Sequence, residues 1–277
     1  MTRRPKSLWA ALIAVVAVMV AFTGCSSNSD DTGDASSTTA STSSTESTAP
    51  ELSGQITVSA AASLTDAFDK IKDEFIAAHP DVEITINYGS SGQLSTQIQE
   101  GAPVDVAAFA DTTPMDALAS ADLLDAPAQT FARNRLVIVT KPGNPSNIKT
   151  LDDLATAGVI ALCNENAPCG KFANQILSTA GVTIDESKVT RGQDVKATLG
   201  AVTEGDAVAG IVYETDATSV ADKVARVEIP EDANVTAQYP IAVIKESQNA
   251  DVAKAFVEFV LAKQGQSVLS DFGFLAP

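Results

Sequence analysis

Four stretches of the sequence set small residues, hydroxyls or glycines immediately before a helical stripe of apolar side chains. The first, Val58-Ser59-Ala60-Ala61-Ala62-Ser63, runs into Leu64, Ala67, Phe68, Ile71 and Phe75 at helical spacing. Ser63 stands where an N-cap belongs, with Asp66 three residues on as a short capping box. The second is Gly89-Ser90-Ser91-Gly92, a turn that exposes backbone N–H groups and places the Ser91 hydroxyl at a helix start. The third is Ala167-Pro168-Cys169-Gly170-Lys171-Phe172, where Pro168 suits a helix opening, and the fourth is Asp194-Val195-Lys196. A helix start leaves backbone N–H groups unpaired and carries about half a positive charge, so each stretch is a socket for an anion. A fifth feature, Tyr213, ends the apolar strand Ala209-Gly210-Ile211-Val212-Tyr213, where its phenol either covers the core or donates a hydrogen bond at a ligand crevice. A lone Ser before a helix is commonly a plain cap, and a Gly/Ser turn commonly a plain turn. The recurrence of the design is what points to a ligand.

Other chemistry is poorly supplied. His79 is the only histidine and lies in a His-Pro helix exit, far in type from a positioned catalytic imidazole. Gly89-x-Ser91 is followed by Gly92-Gln93, which does not complete a nucleophile elbow. One His and three Cys leave no zinc set, and no phosphate loop with its Lys is present. The net charge of -17 argues against nucleic acid. An anion must therefore be captured locally, against the global field. Lys171 and Lys196 fall in first turns of expected helices, where the simplest reading makes them solvated.

The elements that must position these groups follow in order. Arg3, Arg4 and Lys6 precede an apolar run from Leu8 to Phe22 and then Thr23-Gly24-Cys25, the pattern of a secretory signal over 1–24. Cys25 directly after small residues resembles a lipobox, making it the lipidated first residue of a mature chain; an ordinary signal with an incidental Cys is the alternative. Residues 25–53 are Ser/Thr-rich with almost no large apolar side chain, as in a disordered tether. From Gly54, strands at 56–58, 82–88, 104–109, 136–139, 158–162, 207–213 and 241–244 alternate with helical stripes, the first over 63–78 and the last around Phe256 and Phe259. That alternation predicts α/β architecture with parallel sheets. Cys163 and Cys169 lie six apart, and in an exported chain the default is a disulfide, with free or metal-binding thiols as the rival.

Taken together, Ala60-Ala61-Ala62-Ser63-Leu64-Thr65-Asp66-Ala67, Ser90-Ser91-Gly92-Gln93-Leu94, the run Gln97 to Val106, and Gly210-Ile211-Val212-Tyr213-Glu214-Thr215-Asp216-Ala217 resemble the molybdate-binding proteins of bacterial ABC importers. The likeness runs from about residue 54 to 277. It implies a two-lobed type II periplasmic-binding-protein fold, lobe 1 spanning 54–134 and 239–277 and lobe 2 spanning 135–238. Crossovers would fall near Asn134-Arg135 and Tyr239-Pro240. It places oxyanion contacts on the hydroxyls and amides of Ser63 and Ser91, the amides at Cys169 and Val195, and the phenol of Tyr213; Phe109-Ala110-Asp111 receives no contact. The ligand would be molybdate, or tungstate, with sulfate or phosphate the alternative within binding proteins and a secreted enzyme the alternative outside them. The resemblance further implies an ABC permease as partner, a monomeric chain held on the outer face of the cell membrane by its lipid, and no cofactor.

A tetrahedral dianion presents only acceptor oxygens, so neutral amides, two hydroxyls and a phenol suit it without a buried Lys or Arg. Such a site rejects protonated look-alikes, because no acceptor awaits their proton.

Overall fold

The computed structural model describes residues 52–277. The 1–24 signal, Cys25 and nearly all of the 25–53 tether lie outside the described residues. In chain order the elements are β1 (Gly54–Ala61), α1 (Thr65–Ala78), β2 (Val82–Gly89), α2 (Ser91–Gln99), β3 (Val106–Ala108), α3 (Thr112–Ser120), β4 (Gln129–Asn134) and β5 (Leu136–Thr140). They continue with α4 (Leu151–Thr156), β6 (Ile160–Cys163), α5 (Pro168–Thr179), β7 (Val189–Gly192), α6 (Val195–Thr203), β8 (Ala209–Tyr213) and α7 (Glu214–Ser219). Last come β9 (Ala225–Glu228), β10 (Ala237–Val243), α8 (Ala250–Leu261) and α9 (Lys263–Asp271).

The strands form two five-stranded sheets, ordered β2-β1-β3-β10-β4 and β7-β6-β8-β5-β9. This is the two-lobed α/β architecture that the resemblance implies. The sheets are mixed rather than parallel, which corrects the expectation from strand–helix alternation. β10 returns from the far end of the chain and lies antiparallel to both β3 and β4, and β5 lies antiparallel to β8 and β9. In each sheet three strands do run parallel: β1, β2 and β3 in one, β6, β7 and β8 in the other. The chain passes between the sheets at Arg135 and again within 229–236, so Tyr239-Pro240 lies inside β10. A slip in register between those two residues marks the spot, consistent with a Pro that cannot donate to the ladder.

Apolar faces drive the packing. Phe68 and Phe75 on α1 meet Phe256 on α8 in edge-on contacts with ring centroids 6.2 and 5.5 Å apart, sealing one side of the first sheet. β4, β7 and β9 are not marked as strands by sequence pattern, and neither are α3, α4, α7 and α9. β7 is partly buried along its whole length and β9 alternates partly buried with exposed, so neither carries an apolar run.

Candidate functional site

The six parallel strands converge. The residues following the carboxyl ends of β1, β2 and β3 in one lobe face those following β6, β7 and β8 in the other, where open α/β sheets bind ligands. Between them lies a small cavity. Ser63, Ser91, Cys169, Val195 and Tyr213 all line it, together with Ser90, Ala110, Pro168 and Asp194 among others. The structure thus brings all five sequence-predicted residues to one place. Ala110, to which no contact was assigned, is there as well.

Three helices open onto this cavity. In α2 the first intrahelical bond is from Leu94 N–H to the Ser90 carbonyl, in α5 from Lys171 to Ala167, and in α6 from Thr198 to Asp194. The amides of Ser91, Gly92, Cys169, Gly170, Val195 and Lys196 therefore precede the first ladder bond of their helices and have no intrahelical acceptor. Ala197 N–H, third in α6, donates instead to the Asp194 carboxylate at 2.9 Å, which occupies that side chain as the cap.

Ser63 is not an N-cap. It sits inside a short 3-10 turn, Ala62–Leu64, that precedes α1, and the capping position belongs to Leu64 without a side-chain bond. A capping role would hold the Ser63 hydroxyl on its own backbone. Its Oγ lies instead 2.9 Å from the hydroxyl of Tyr239. Asp66 does not close a capping box either; its carboxylate pairs with Lys196. Ser91 Oγ accepts a hydrogen bond from Ala110 N–H at 3.0 Å, which leaves its own proton free for the cavity. The Tyr213 hydroxyl is buried beside the Tyr239 hydroxyl but makes no hydrogen bond of good geometry in the protein, and burial, the largest cause, pushes its pKa well above the ordinary phenol value. A buried O–H without an acceptor is costly, so this donor is one that a ligand oxygen would satisfy.

Cys163 and Cys169 are joined by a disulfide, with Cα atoms 5.7 Å apart. It fastens the end of β6 to the first turn of α5, the turn that offers the Cys169 amide.

Lys171 is exposed, as expected from sequence, and Lys196 partly buried, but both are paired with carboxylates rather than left free in solvent. Lys171 Nζ lies 2.7 Å from Asp111 Oδ2 and donates to Thr113 Oγ1 at 2.7 Å, joining α5 to the start of α3. Lys196 Nζ lies 2.8 Å from Asp66 Oδ2 and 3.3 Å from Asp216 Oδ1. Both ammonium groups span the lobes, because the lobes close to within side-chain reach beside the cavity. Gly92 reports the same closeness: a Cβ there would stand 2.6 Å from the Asn166 carbonyl of the opposite lobe. Among the described residues that line the cavity none is Lys or Arg, so the donors facing it are neutral. Among the described residues no group of three or more His, Cys, Asp and Glu side chains could hold a metal ion.

Two lobes with a cavity of hydrogen-bond donors between them define a solute-binding protein. Residues 56–275 match the family model described as bacterial extracellular solute-binding protein, and the chain belongs to that family. The molybdate-binding protein ModA of Mycobacterium tuberculosis is 40% identical over 223 residues, which cover 80% of this chain and 85% of that protein. Among solved structures, the substrate-binding domain of a molybdenum ABC transporter from Clostridium difficile is 34% identical with a TM-score of 0.61, covering 80% of this chain and 99% of that one. The periplasmic molybdate-binding protein of Azotobacter vinelandii shares the fold at a TM-score of 0.72, with 20% identity over 80% of this chain and 99% of that one.

Proposed function

We propose that this chain is the extracytoplasmic molybdate-binding component of a bacterial ABC transporter. Ser63, Ser91, Cys169, Val195 and Tyr213 hold the ion, the first two through hydroxyl and amide, the next two through amides and the last through its phenol. The observation that carries the reading is the buried Tyr213 hydroxyl, without a partner in the protein, on a cavity onto which three helix starts open. Relatives that bear the name molybdate-binding protein support the choice of ion. Neutral donors in a water-excluding cavity bind an anion strongly, since each interaction grows as the local dielectric falls.

On this reading lobe 1 comprises 54–134 and 239–277 and lobe 2 comprises 135–238. The chain works as a monomer, delivers its ion to a membrane permease, accepts tungstate as well, and catalyses no reaction. Cys25 is acylated after removal of 1–24, so that the 25–53 tether holds the binding domain at the outer face of the membrane. Among the described residues no helix is long and apolar enough to cross a membrane.

Calorimetric titration of the purified chain with molybdate, tungstate, sulfate and phosphate tests the ligand. Molybdate and tungstate should bind tightly with one site and the other two weakly. Tighter binding of sulfate or phosphate, or turnover of an oxyanion ester, would refute the reading. Intact mass of the membrane-extracted protein tests the anchor, through the lipid on Cys25.

A further inference from the structure

Behind Ser63 lies a chain of hydrogen bonds that no ligand contact requires. Asn134, the last residue of β4 before the first crossing, has its Oδ1 occupied by the N–H of Arg135 at 2.9 Å. That bond fixes which way the amide faces, so Nδ2 points its two protons at Thr215 Oγ1, 2.9 Å away, and at the Tyr239 hydroxyl, 3.3 Å away. Asn134 and Tyr239 are both shielded from water, at 1% and 0% exposure. The Tyr239 ring is held edge-on by Phe131, Phe274 and Tyr213, with centroids 6.2, 5.4 and 5.9 Å away. Its oxygen therefore has one position, 2.9 Å from Ser63 Oγ.

The protons can be counted. The Tyr239 oxygen accepts from Asn134, and its own proton goes to Ser63 Oγ at 2.9 Å rather than to the neighbouring Tyr213 hydroxyl, which makes no hydrogen bond of good geometry. The opposite polarity would have Ser63 donate to Tyr239 and leave a buried phenolic proton with only the poorly placed Tyr213 oxygen to turn to, a costly arrangement. Ser63 Oγ is thus an acceptor on its protein side, and its proton is directed to the cavity that it lines. Ser91 is set the same way by the Ala110 N–H.

We propose that Asn134 and Tyr239 are positioning residues that fix the hydroxyl of Ser63 as a donor toward the ligand. They thereby make the site selective for oxyanions that carry no proton. The proposal rests on the oxyanion reading above and adds the residues that set hydrogen-bond polarity. Because Nδ2 of Asn134 also binds Thr215, on α7 of the other lobe, the relay is tied to the inter-lobe boundary.

The test is a double-mutant cycle on the full chain, with molybdate and inorganic phosphate as probes near neutral pH, where phosphate is partly protonated. Tyr239→Phe keeps the ring and removes the relay; it should weaken molybdate about tenfold while weakening phosphate less, so that the preference for molybdate narrows. In a Ser63→Ala background the same change should cost less than about twofold, because the hydroxyl it orients is gone. Asn134→Leu, close in size to Asn, should show the same coupling to Ser63 and serves if Tyr239→Phe does not fold by circular dichroism. Full additivity of Tyr239→Phe with Ser63→Ala, or an unchanged molybdate-to-phosphate ratio, would overturn the relay while wild-type molybdate binding stood. Wild type failing to bind molybdate would instead overturn the oxyanion reading itself.

Discussion

Lys196 reaches out of α6 to Asp66 on α1, with Nζ 2.8 Å from the carboxylate, and so ties the second lobe to the first beside the cavity. Lys171 and Asp111 make the matching tie between α5 and the start of α3. Each lysine stands in the first turn of its helix, and each pairs its charge with a carboxylate of the opposite lobe.

These pairs are partly exposed, so each contributes about 0.2–1 kcal/mol to closure. Lys171→Gln and Lys196→Gln should each weaken molybdate about two- to fivefold through faster dissociation. Raising salt to about 0.5 M should have a similarly small effect on wild type if, as proposed, amides and hydroxyls hold the ion. Affinity measured across a salt series, with stopped-flow dissociation rates, checks this. Were the double Gln variant to lose most binding while Ser63→Ala and Ser91→Ala kept it, the lysines would be the true counter-charges.

Tyr213→Phe removes one donor and preserves shape. An anionic oxygen left short of a partner should cost about 1.5–3 kcal/mol, or roughly tenfold or more in affinity. The apo protein should not be destabilised, because the hydroxyl has no partner in the protein to lose. A dissociation constant equal to wild type by calorimetry would reduce Tyr213 to core cover.

Gly92→Ala should oppose closure without harming either lobe. Its new Cβ would meet the Asn166 carbonyl at 2.6 Å, a contact that exists only when the lobes are together. Overpacking of this kind costs about 1–3 kcal/mol, so molybdate affinity should fall roughly five- to a hundredfold. Thermal unfolding of the ligand-free variant should match wild type. Small-angle scattering would show a molecule that stays open at molybdate concentrations sufficient to close wild type.

Asp216 gives stability a pH dependence of unusual sign. Burial pushes its carboxyl up to about 6 from 3.8, against the pull of Lys196. A raised carboxylate pKa means the folded state holds the proton more tightly than the unfolded one between those values. The contribution of Asp216 is therefore full below about pH 4 and is lost as pH rises through about 6. Asp216→Asn should gain about 3 kcal/mol over wild type at pH 7 and little near pH 4. Urea unfolding of both proteins at several pH values gives the difference, which cancels carboxylates such as Asp153 and Asp185 whose pKa values are lowered. A difference constant across pH 4–7 would show that Asp216 is ionised without cost.

The sequence by itself determined the groups that line the cavity. Ser63, Ser91, Cys169, Val195 and Tyr213 sit where strands end or helices begin, and such positions leave local signals: a hydroxyl or Pro before an apolar stripe, or a Tyr at the end of an apolar run. The paired Cys163 and Cys169 were legible for the same reason, being six residues apart and part of one loop. What tertiary structure alone decided is everything that depends on residues distant in the chain. β10 enters the first sheet between β3 and β4 only because the chain returns there, which no local pattern encodes. The hydroxyl of Ser63 faces Tyr239 across 176 positions of sequence, and Lys196 faces Asp66 across 130. Read locally, Ser63 was a cap and Lys196 a solvated cation. A side chain's hydrogen-bond polarity and its charge partner are set by whichever neighbour is nearest in space. That neighbour is fixed by the packing of two lobes, not by the spacing of residues along one helix.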